Sequence, residues 1–226
     1  MADTTFATVL PALKAIDNQD TPQTYSMAMV EHLIKTIETE LKALTEVAAD
    51  VQSVSSILDV STKNKVTILI DHAKDNAAAS VGQGTEYVVQ VSEKATGNDT
   101  WRALAAFTAA MTVPVAPVCS AIEPVGETVI ACGAVVPAVG DRVFFKNTVL
   151  ALSEWANVIA VTPATNFTIE SGLTNASEIK TYYTQGEHFV LTIDVEAITR
   201  LRVVCNNTKG TTNRAIVWRC AAITAK

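Results

Sequence analysis

The sequence predicts a mainly β protein: an antiparallel β-sandwich or jelly-roll-like domain, preceded by an N-terminal α-helical arm or stalk. Hydrophobic residues make up 49% of the 226 residues and charged residues only 18%, a composition opposite to that of a disordered chain. From residue 65 onward, short β-branched runs alternate with glycine and proline, which is typical of strands joined by turns. Before residue 60, apolar residues recur at steps of three and four, the period of an amphipathic helix.

Composition and charge also exclude several functional classes. With 17 Lys+Arg against 23 Asp+Glu, the net charge of -6 gives no electrostatic reason to bind nucleic acid. No apolar run approaches the roughly 18 residues that a membrane span needs, and residues 1–5 lack the basic start of a secretory signal. A protein this apolar and poor in charge is expected to associate, and we predict a homo-oligomer, either a trimer or a dimer.

The N-terminal residues 1–20 contain a short apolar stretch that is interrupted by Pro11. Its apolar side chains follow roughly helical spacing, which favours docking on a partner over free solvation. We expect Phe6 and Leu10 to be anchors of this contact.

A long helix is predicted next, over residues 21–60. Asp20 is a suitable N-cap, Pro22 suits the first turn and Gln23 completes a capping box. At 1.5 Å per residue such a helix would be roughly 60 Å long. The heptad-like apolar stripe predicts an oligomer interface, formed by Val30, Ile34, Ile37, Leu41, Leu44, Val51 and Leu58.

Two arrangements of this helix remain open on the sequence alone. The helix either packs along its own β-domain or associates with copies of itself in a homo-oligomeric bundle. Glu31 with Lys35, and Glu38 with Lys42, have the spacing of ion pairs on its exposed face.

The β-region begins at residue 65, where the run 65–71 is typical of a strand. Residues 86–92 and 100–107 flank a turn cluster and predict a hairpin. Further strands are predicted at 128–132, 141–146, 157–161, 166–170, 188–193, 200–206 and 215–223. We divide the chain into an arm and helix (1–60), a hairpin-containing region (61–115) that either stands apart or belongs to the same sandwich, and a β-sandwich or jelly-roll-like domain (116–226).

The four cysteines, Cys119, Cys132, Cys205 and Cys220, form no C-x-x-C pair and have no histidine at zinc-finger spacing. We therefore predict no metal site. Buried free thiols are favoured over disulfides because no export signal places the chain in an oxidising compartment. Four cysteines allow three pairings, and the sequence does not choose among them.

Chemistry-bearing motifs are scarce. Asp71 next to His72 has the order of a carboxylate that orients an imidazole, but no G-x-S-x-G turn supplies a nucleophile. The sequence contains neither a P-loop nor an H-E-x-x-H motif. We predict no catalytic residue and no cofactor. Trp155, near a turn, is a candidate partner anchor, with burial in the core as the alternative.

Four segments of the C-terminal part of the chain follow a recognisable pattern: residues 127–134, Val139-Gly140-Asp141 with the strand that follows, 199–208 and the Trp-Arg pair at 218–219. In these segments the chain resembles a β-domain that recurs in virion proteins of tailed bacteriophages. The resemblance covers roughly the last hundred residues. Gly140 suits a bend with positive φ, and Asp141 suits bonding to turn amides. Pro137 and the long stretch 162–186 depart from the pattern, which leaves the position in the virion open.

This resemblance implies a non-enzymatic structural protein of a phage particle. We expect it to decorate or cement the capsid through oligomeric β-domains, with major capsid or tail proteins as partners. Its location is then the virion, assembled in the host cytoplasm. The alternatives are a tail- or fibre-associated adaptor, a carbohydrate-binding β-sandwich and a monomeric binding module inside the cell.

Overall fold

The protein consists of two antiparallel β-sheets in the parts of the chain that the structure describes. The structure is a computed structural model, and it describes residues 36–74, 84–98, 100–109, 119–132, 137–176, 182–211 and 215–225. A single 3-10 turn, Leu150–Leu152, is the one helical element in these ranges. The strands are β1 (Thr36–Val47), β2 (Gln52–Val54), β3 (Leu58–Asp59), β4 (Lys65–Lys74), β5 (Thr85–Ser92), β6 (Arg102–Ala109), β7 (Val129–Ala131), β8 (Arg142–Lys146), β9 (Glu154–Thr162), β10 (Asn166–Ile169), β11 (Tyr182–Asp194), β12 (Arg200–Asn206) and β13 (Ile216–Ala225).

The strand order mixes early and late parts of the chain. The large sheet has 8 strands in the order β1-β13-β4-β11-β8-β9-β10-β7. The small sheet has 5 strands, in the order β2-β12-β5-β6 with β3 also paired to β12. Each of the three segments proposed from the sequence contributes strands to both sheets.

The main core lies between the two sheets. The large sheet contributes alternate residues of β4 and β13, including Ile68, Ile70 and the fully buried Trp218, and the small sheet contributes Tyr87 and Leu201. Apolar residues two apart in a strand share one face, so these strands bury one side and turn the other outward.

A second core lies beside β8, β9, β10 and β7. Phe145 and Phe167 stack there with ring centroids 6.2 Å apart, among buried residues that include Ile130 and Val158. A third, smaller cluster, consisting of Ala73, Phe144 and Val217, lies on the outward face of the large sheet. The large sheet is therefore apolar on both faces over part of its width.

The predicted mainly β, antiparallel fold is confirmed, and so are the individual strands. The hairpin predicted from residues 86–92 and 100–107 is the β5–β6 pair. β12 has the bounds that the sequence predicts. The turn before β8 also follows the sequence expectation: Gly140 has a φ of 91°, and the backbone N–H of Ala138 donates to Oδ2 of Asp141 at 2.8 Å.

The predicted helix is wrong over the described residues. Residues 36–47 form β1, which pairs antiparallel with β13. Short strands and turns follow to residue 60. The first 35 residues, and with them the predicted helix start and N-terminal arm, lie outside the described residues. β1 has apolar contacts on both faces, which gives it the three- and four-residue spacing of a helix stripe.

Candidate interaction surfaces

The sheet edges differ in how well they are protected against pairing with another strand. In the described part of the chain, β1 and β7 end the large sheet, and β2 and β6 end the small one. β2 and β7 have 3 residues each, too short to offer a long hydrogen-bonding edge. β1 has 12 residues and carries the charged side chains Glu38, Glu40, Lys42 and Glu46.

β6 has neither form of protection. It is an edge strand of 8 residues, and no charged residue follows Arg102 within it. Arg102 itself lies 3.8 Å from a carboxylate oxygen of Glu93. Long apolar edges are templates for strand pairing between chains. We therefore define the β6 edge, residues 102–109, as the main candidate interaction surface.

The outward face beside this edge is also apolar. Val54, Val204, Val88 and Ala106 form one row across β2, β12, β5 and β6, because the strand registers place them opposite one another. Val54 is 36% exposed, and Leu104, at an irregularity in β6, is 46% exposed. Val204 is itself only 3% exposed, so the part of the row that a partner can reach is its exposed end at β6, where no described strand pairs with the outer edge.

The inward face of β6 is fixed by packing. Phe107 stacks on Phe189 with ring centroids 5.3 Å apart, and Ala109 is buried in the main core. One face of β6 therefore packs on the main core and the other faces outward. A second strand that pairs with β6 must match this orientation.

An arginine holds the loop that leads into β6. Nε of Arg200 donates to the carbonyl of Lys94 at 2.6 Å, and its Nη2 donates to the carbonyl of Gly97 at 2.9 Å. Trp101 stacks against both Arg200 and Arg202, whose guanidinium carbons lie 4.7 and 4.2 Å from the ring centroid. The two hydrogen bonds from Arg200 tie the loop that precedes β6 to β12.

A second candidate surface is a polar cluster on the outward face of the large sheet. Asp71 is at its centre, with a side chain only 7% exposed. Arg142 approaches it at 2.9 Å, Nε of Arg219 donates to it at 2.7 Å, and Nδ1 of His188 lies 2.8 Å away. The register explains this meeting, because Arg219 and His188 stand opposite Asp71 in β13 and β11. We call these four residues the Asp71 cluster.

The charge state of Asp71 follows from two opposing effects. Burial acts to raise its pKa, but the charge of Arg142, the hydrogen bond and charge of Arg219 and the hydrogen bond with His188 outweigh it. The pKa of Asp71 is therefore held below its usual range. An ionised aspartate is the form that bonds two arginines, so this cluster is suited to stabilise the sheet.

Trp155 borders the Asp71 cluster rather than standing free. Its ring lies 4.6 Å from that of Phe144, and the guanidinium of Arg219 covers it at 4.8 Å. Its Nε1 donates to the carbonyl of His72 at 3.4 Å. The Trp155 ring lies against Gly186 of β11. A Cβ at residue 186 would be only 2.9 Å from the indole, which is too close, so this position requires glycine.

The predicted orientation of His72 by Asp71 is not what the structure shows. Adjacent strand residues face opposite sides of the sheet. Asp71 faces outward, whereas His72 is fully buried in the sheet interior, with Nδ1 2.6 Å from the hydroxyl of Tyr87. Burial raises the pKa of Tyr87 well above its usual range, which suits a structural role.

The helical-stripe residues are scattered by the strands that contain them. Leu41 is buried in the main core, while Leu44 packs against the third cluster. Val51 is 45% exposed in a turn, and Leu58 is partly buried. Ile37 lies in β1, and the remaining predicted interface and anchor residues lie outside the described ranges: Val30, Ile34, Phe6 and Leu10.

Sequence reasoning missed both surfaces, although each left a signal. The signal for β6 is the absence of charge from residues 103–109. The signal for the Asp71 cluster is weaker, because its residues come from four different strands. Among the described residues, no group of three or more His, Cys, Asp or Glu is arranged to hold a metal ion. None of the described helices has the length and hydropathy to cross a membrane.

Comparisons with known proteins give no family. No protein-family model matches the chain, and no curated protein matches it either. Structurally, the chain is similar to the K3 cleaved adhesin domain of Lys-gingipain from Porphyromonas gingivalis W83, at 13% identity and a TM-score of 0.33, over 84% of this chain and 74% of the other.

Two viral structures are also similar over most of this chain. An infectious bursal disease virus Gt strain structure matches at 7% identity and a TM-score of 0.23, over 85% of this chain and 41% of the other. VP17, a capsid protein of bacteriophage P23-77, matches at 7% identity and a TM-score of 0.20, over 85% and 97%. TM-scores this low establish neither a shared fold nor a shared function.

Proposed function

We propose that this chain is a non-enzymatic structural protein of a tailed-phage particle, which decorates or cements the capsid as an oligomer of β-sandwich domains. The observation that carries the proposal is the apolar β6 edge, whose outer side pairs with no other strand of the described residues. An edge of this kind favours association through backbone hydrogen bonds and apolar contact, as an assembly component requires. Its partners on the particle would be major capsid or tail proteins.

The phage resemblance supports this proposal at the level of individual strands. The described part of the resembling residues 127–134 contains β7, and residues 139–143 contain the turn into β8 and the start of that strand. Those at 199–208 and 216–219 coincide with β12 and β13. The resemblance thus concerns strands and turns of the observed fold.

The occupant that we propose for the β6 edge is the β6 edge of a second copy. Two identical β6 strands can pair antiparallel about a two-fold axis. The inward face of one copy then continues as the inward face of the other only if the residue on the axis pairs with the same residue of the second copy. Ala105 or Ala106, in the middle of β6, could take this position, because both side chains are small. Pairing there would extend both the stripe containing Phe107 and the outward apolar row into the partner.

The test is the native mass of the full chain and of two lysine variants. We expect wild type to have about 48 kDa, twice the 24.0 kDa of one chain. Ala106→Lys places two like charges close together beside the two-fold axis of the paired strands and should yield monomers. The matched control is Ala43→Lys, which adds the same charge at an exposed position of the already charged β1 edge and should stay dimeric.

Two results would contradict this dimer: a monomeric wild type at about 100 µM, well above typical working affinities, or an Ala106→Lys variant that remains dimeric. The virion role is tested separately, by co-sedimentation of the purified protein with phage heads that lack decoration. Binding at a regular number of copies per head supports it, and absence of binding to heads and tails alike counts against it.

The carbohydrate-binding alternative has less support. Sugar-binding β-sandwiches present aromatic rings to solvent, but Trp218 is fully buried and Trp155 is covered by Arg219. Trp101 packs against Arg200 and Arg202. A glycan array with the wild-type chain would revive this alternative if it gave a signal that Trp155→Ala removes.

A further inference from the structure

Cys119 and Cys132 face each other across a short antiparallel contact. The two residues form an isolated β-bridge, with Cys132 directly after β7. Their exposures are 1% and 5%, and both belong to the second core, where Ile130 and Phe167 surround them. They lie at the two ends of one segment, residues 119–132, which contains Glu123.

The hydrogen-bond pattern shows which kind of pair this is. The N–H of Ser120, after Cys119, donates to the carbonyl of Ala131, before Cys132, at 3.0 Å. This hydrogen bond joins the residues next to the two cysteines rather than the cysteines themselves. Cys119 and Cys132 therefore form a non-hydrogen-bonded pair of the antiparallel ladder. At such positions the Cα atoms are about 4.5 Å apart and the side chains approach most closely. Disulfides join residues with Cα atoms about 4.4–6.8 Å apart.

The other two cysteines lack this geometry. Cys205 lies in β12 of the small sheet and Cys220 in β13 of the large sheet, both facing the main core. Packed sheets are about 10 Å apart, farther than a disulfide spans. None of the four is joined in a disulfide in the structure, so Cys205 and Cys220 provide an internal comparison.

We propose that Cys119 and Cys132 are a site of reversible disulfide formation, in which a small disulfide is the oxidant. This inference is independent of the proposed virion function. The bond would close the loop 119–132, in which the carboxylate of Glu123 already accepts a hydrogen bond from the N–H of Ala131 at 2.8 Å. It would fasten β7, the short edge strand of the large sheet, to the segment beside it.

The chemistry is two successive thiol–disulfide exchanges. The sulfur of Cys132, the less buried of the two, loses its proton and attacks the small disulfide, releasing one small thiol. The sulfur of Cys119 then loses its proton and attacks the sulfur of Cys132, forming the protein disulfide and releasing the second small thiol. The protein loses two electrons and two protons, and the oxidant gains both.

Burial controls the rate of this reaction. Burial, together with Glu123 and Cys132, raises the pKa of the Cys119 thiol to about 12. Little Cys119 thiolate is present near neutral pH, so the second exchange in the folded chain should be slow and should accelerate as the pH rises. Local opening of β7 is the expected route of access, because β7 has only 3 residues and lies at a sheet edge.

The experiment is refolding of the full chain from urea in a buffer of bis(2-hydroxyethyl) disulfide and its thiol, followed by mass analysis of non-reduced peptides. Refolding exposes every thiol, so access does not limit the result. We expect one linked peptide pair, joining Cys119 to Cys132, and a melting temperature that is higher by ~5 °C than that of the reduced protein. Cys205→Ser should keep the link, whereas Cys132→Ser should lose it.

Other outcomes would overturn the proposal. One is a refolded chain, with a native circular dichroism spectrum, that keeps four thiols over the whole range of redox ratios. The other is a predominant link that involves Cys205 or Cys220. If Cys132→Ser does not fold, Cys119→Ser provides the same comparison from the other strand.

Discussion

Asp71 and His72 are neighbours in the sequence but belong to different environments in the molecule. His72 contributes to the buried interior with Tyr87, while Asp71 bonds two arginines and His188 on the outward face. This arrangement could not be predicted from the sequence, because both arginines and His188 come from strands distant along the chain. It follows from register, which sequence patterns do not specify.

We predict that Asp71→Asn destabilises the fold. The substitution leaves Arg142 and Arg219 without their buried counter-charge, and breaking a buried ion pair costs about 3 kcal/mol of unfolding free energy. Because the pKa of Asp71 is lowered on folding, its contribution is fully present above the unfolded value of about 3.9 and is lost as the pH falls. Urea unfolding between neutral and acid pH measures both effects.

The matched control is Asp59→Asn. The pKa of Asp59 is also lowered, by hydrogen bonds from Ser61, but its carboxylate is fully exposed. We expect a smaller loss of stability there than at Asp71. The Asp71→Asn variant should also lose less stability than wild type on acidification below about pH 4. Equal pH profiles for wild type and Asp71→Asn would show that the ionised carboxylate contributes nothing.

At the scale of elements, β1 shows how the sequence of a strand can have the apolar spacing of a helix. Leu41 and Val47 face the main core, whereas Leu44, three residues from each, faces the third cluster on the opposite side. β1 also has register irregularities between Glu40 and Lys42 and between Lys42 and Thr45, so its side chains do not alternate strictly in this part. When both faces are apolar, a spacing of three residues imitates a helix stripe. The segment is also rich in Glu, Leu, Lys and Ala, which are strong helix formers.

The correctly predicted strands have one feature in common: the pattern of apolar residues and turn residues in their own sequence matches their burial in the fold. β12 is buried on both faces over the β-branched residues Val203 and Val204, and the strand ends at Asn206. The β5–β6 hairpin has its own turn residues. β1 instead depends on pairing with β13, residues 216–225, a contact too distant in sequence for local patterns to show.

The loop into β6 yields a prediction about a single connection. Arg200→Ala removes the hydrogen bonds to the carbonyls of Lys94 and Gly97 and leaves these groups without a charged donor. We expect a loss of about 2–3 kcal/mol of unfolding free energy. Arg200→Lys should recover only part of this loss, because an ammonium cannot reproduce the planar fork of a guanidinium.

The measurement for Arg200 is denaturant unfolding with hydrogen exchange of the hairpin amides. Increased exchange confined to residues 93–109 would show that the arginine holds this connection in particular. Arg202→Ala is the control, since Arg202 bonds the side chain of Gln90 and no loop carbonyl. If both variants behaved alike, the role assigned to Arg200 would be wrong.

For the whole molecule, the strand order explains the composition. Apolar residues fill two main cores, cover both faces of part of the large sheet and continue onto the outward face of the small sheet. The sequence indicated association from this excess of apolar residues, but it located the contact in a helix. The β6 edge could not be predicted, because sequence patterns do not show which strand lies at the edge of a sheet.

We predict that the β6 dimer is nearly insensitive to salt. Its proposed contacts are backbone hydrogen bonds and alanine or aromatic side chains, and screening acts mainly on exposed charge pairs. The dissociation constant from light scattering should change less than about threefold between 0.05 and 0.5 M NaCl. A loss of assembly by a factor of ten or more would assign the contact to charged groups instead.

The position of β13 has a consequence for how the protein is made. β13 lies between β1 and β4, which precede it by well over half of the chain. During synthesis, β1 and β4 leave the ribosome long before β13, which pairs with both. Until β13 emerges, each of them exposes an unpaired strand edge. The nascent chain is thus most prone to aggregate late in translation. We expect its yield to depend on chaperones that shield β1 and β4 until residues 216–225 emerge.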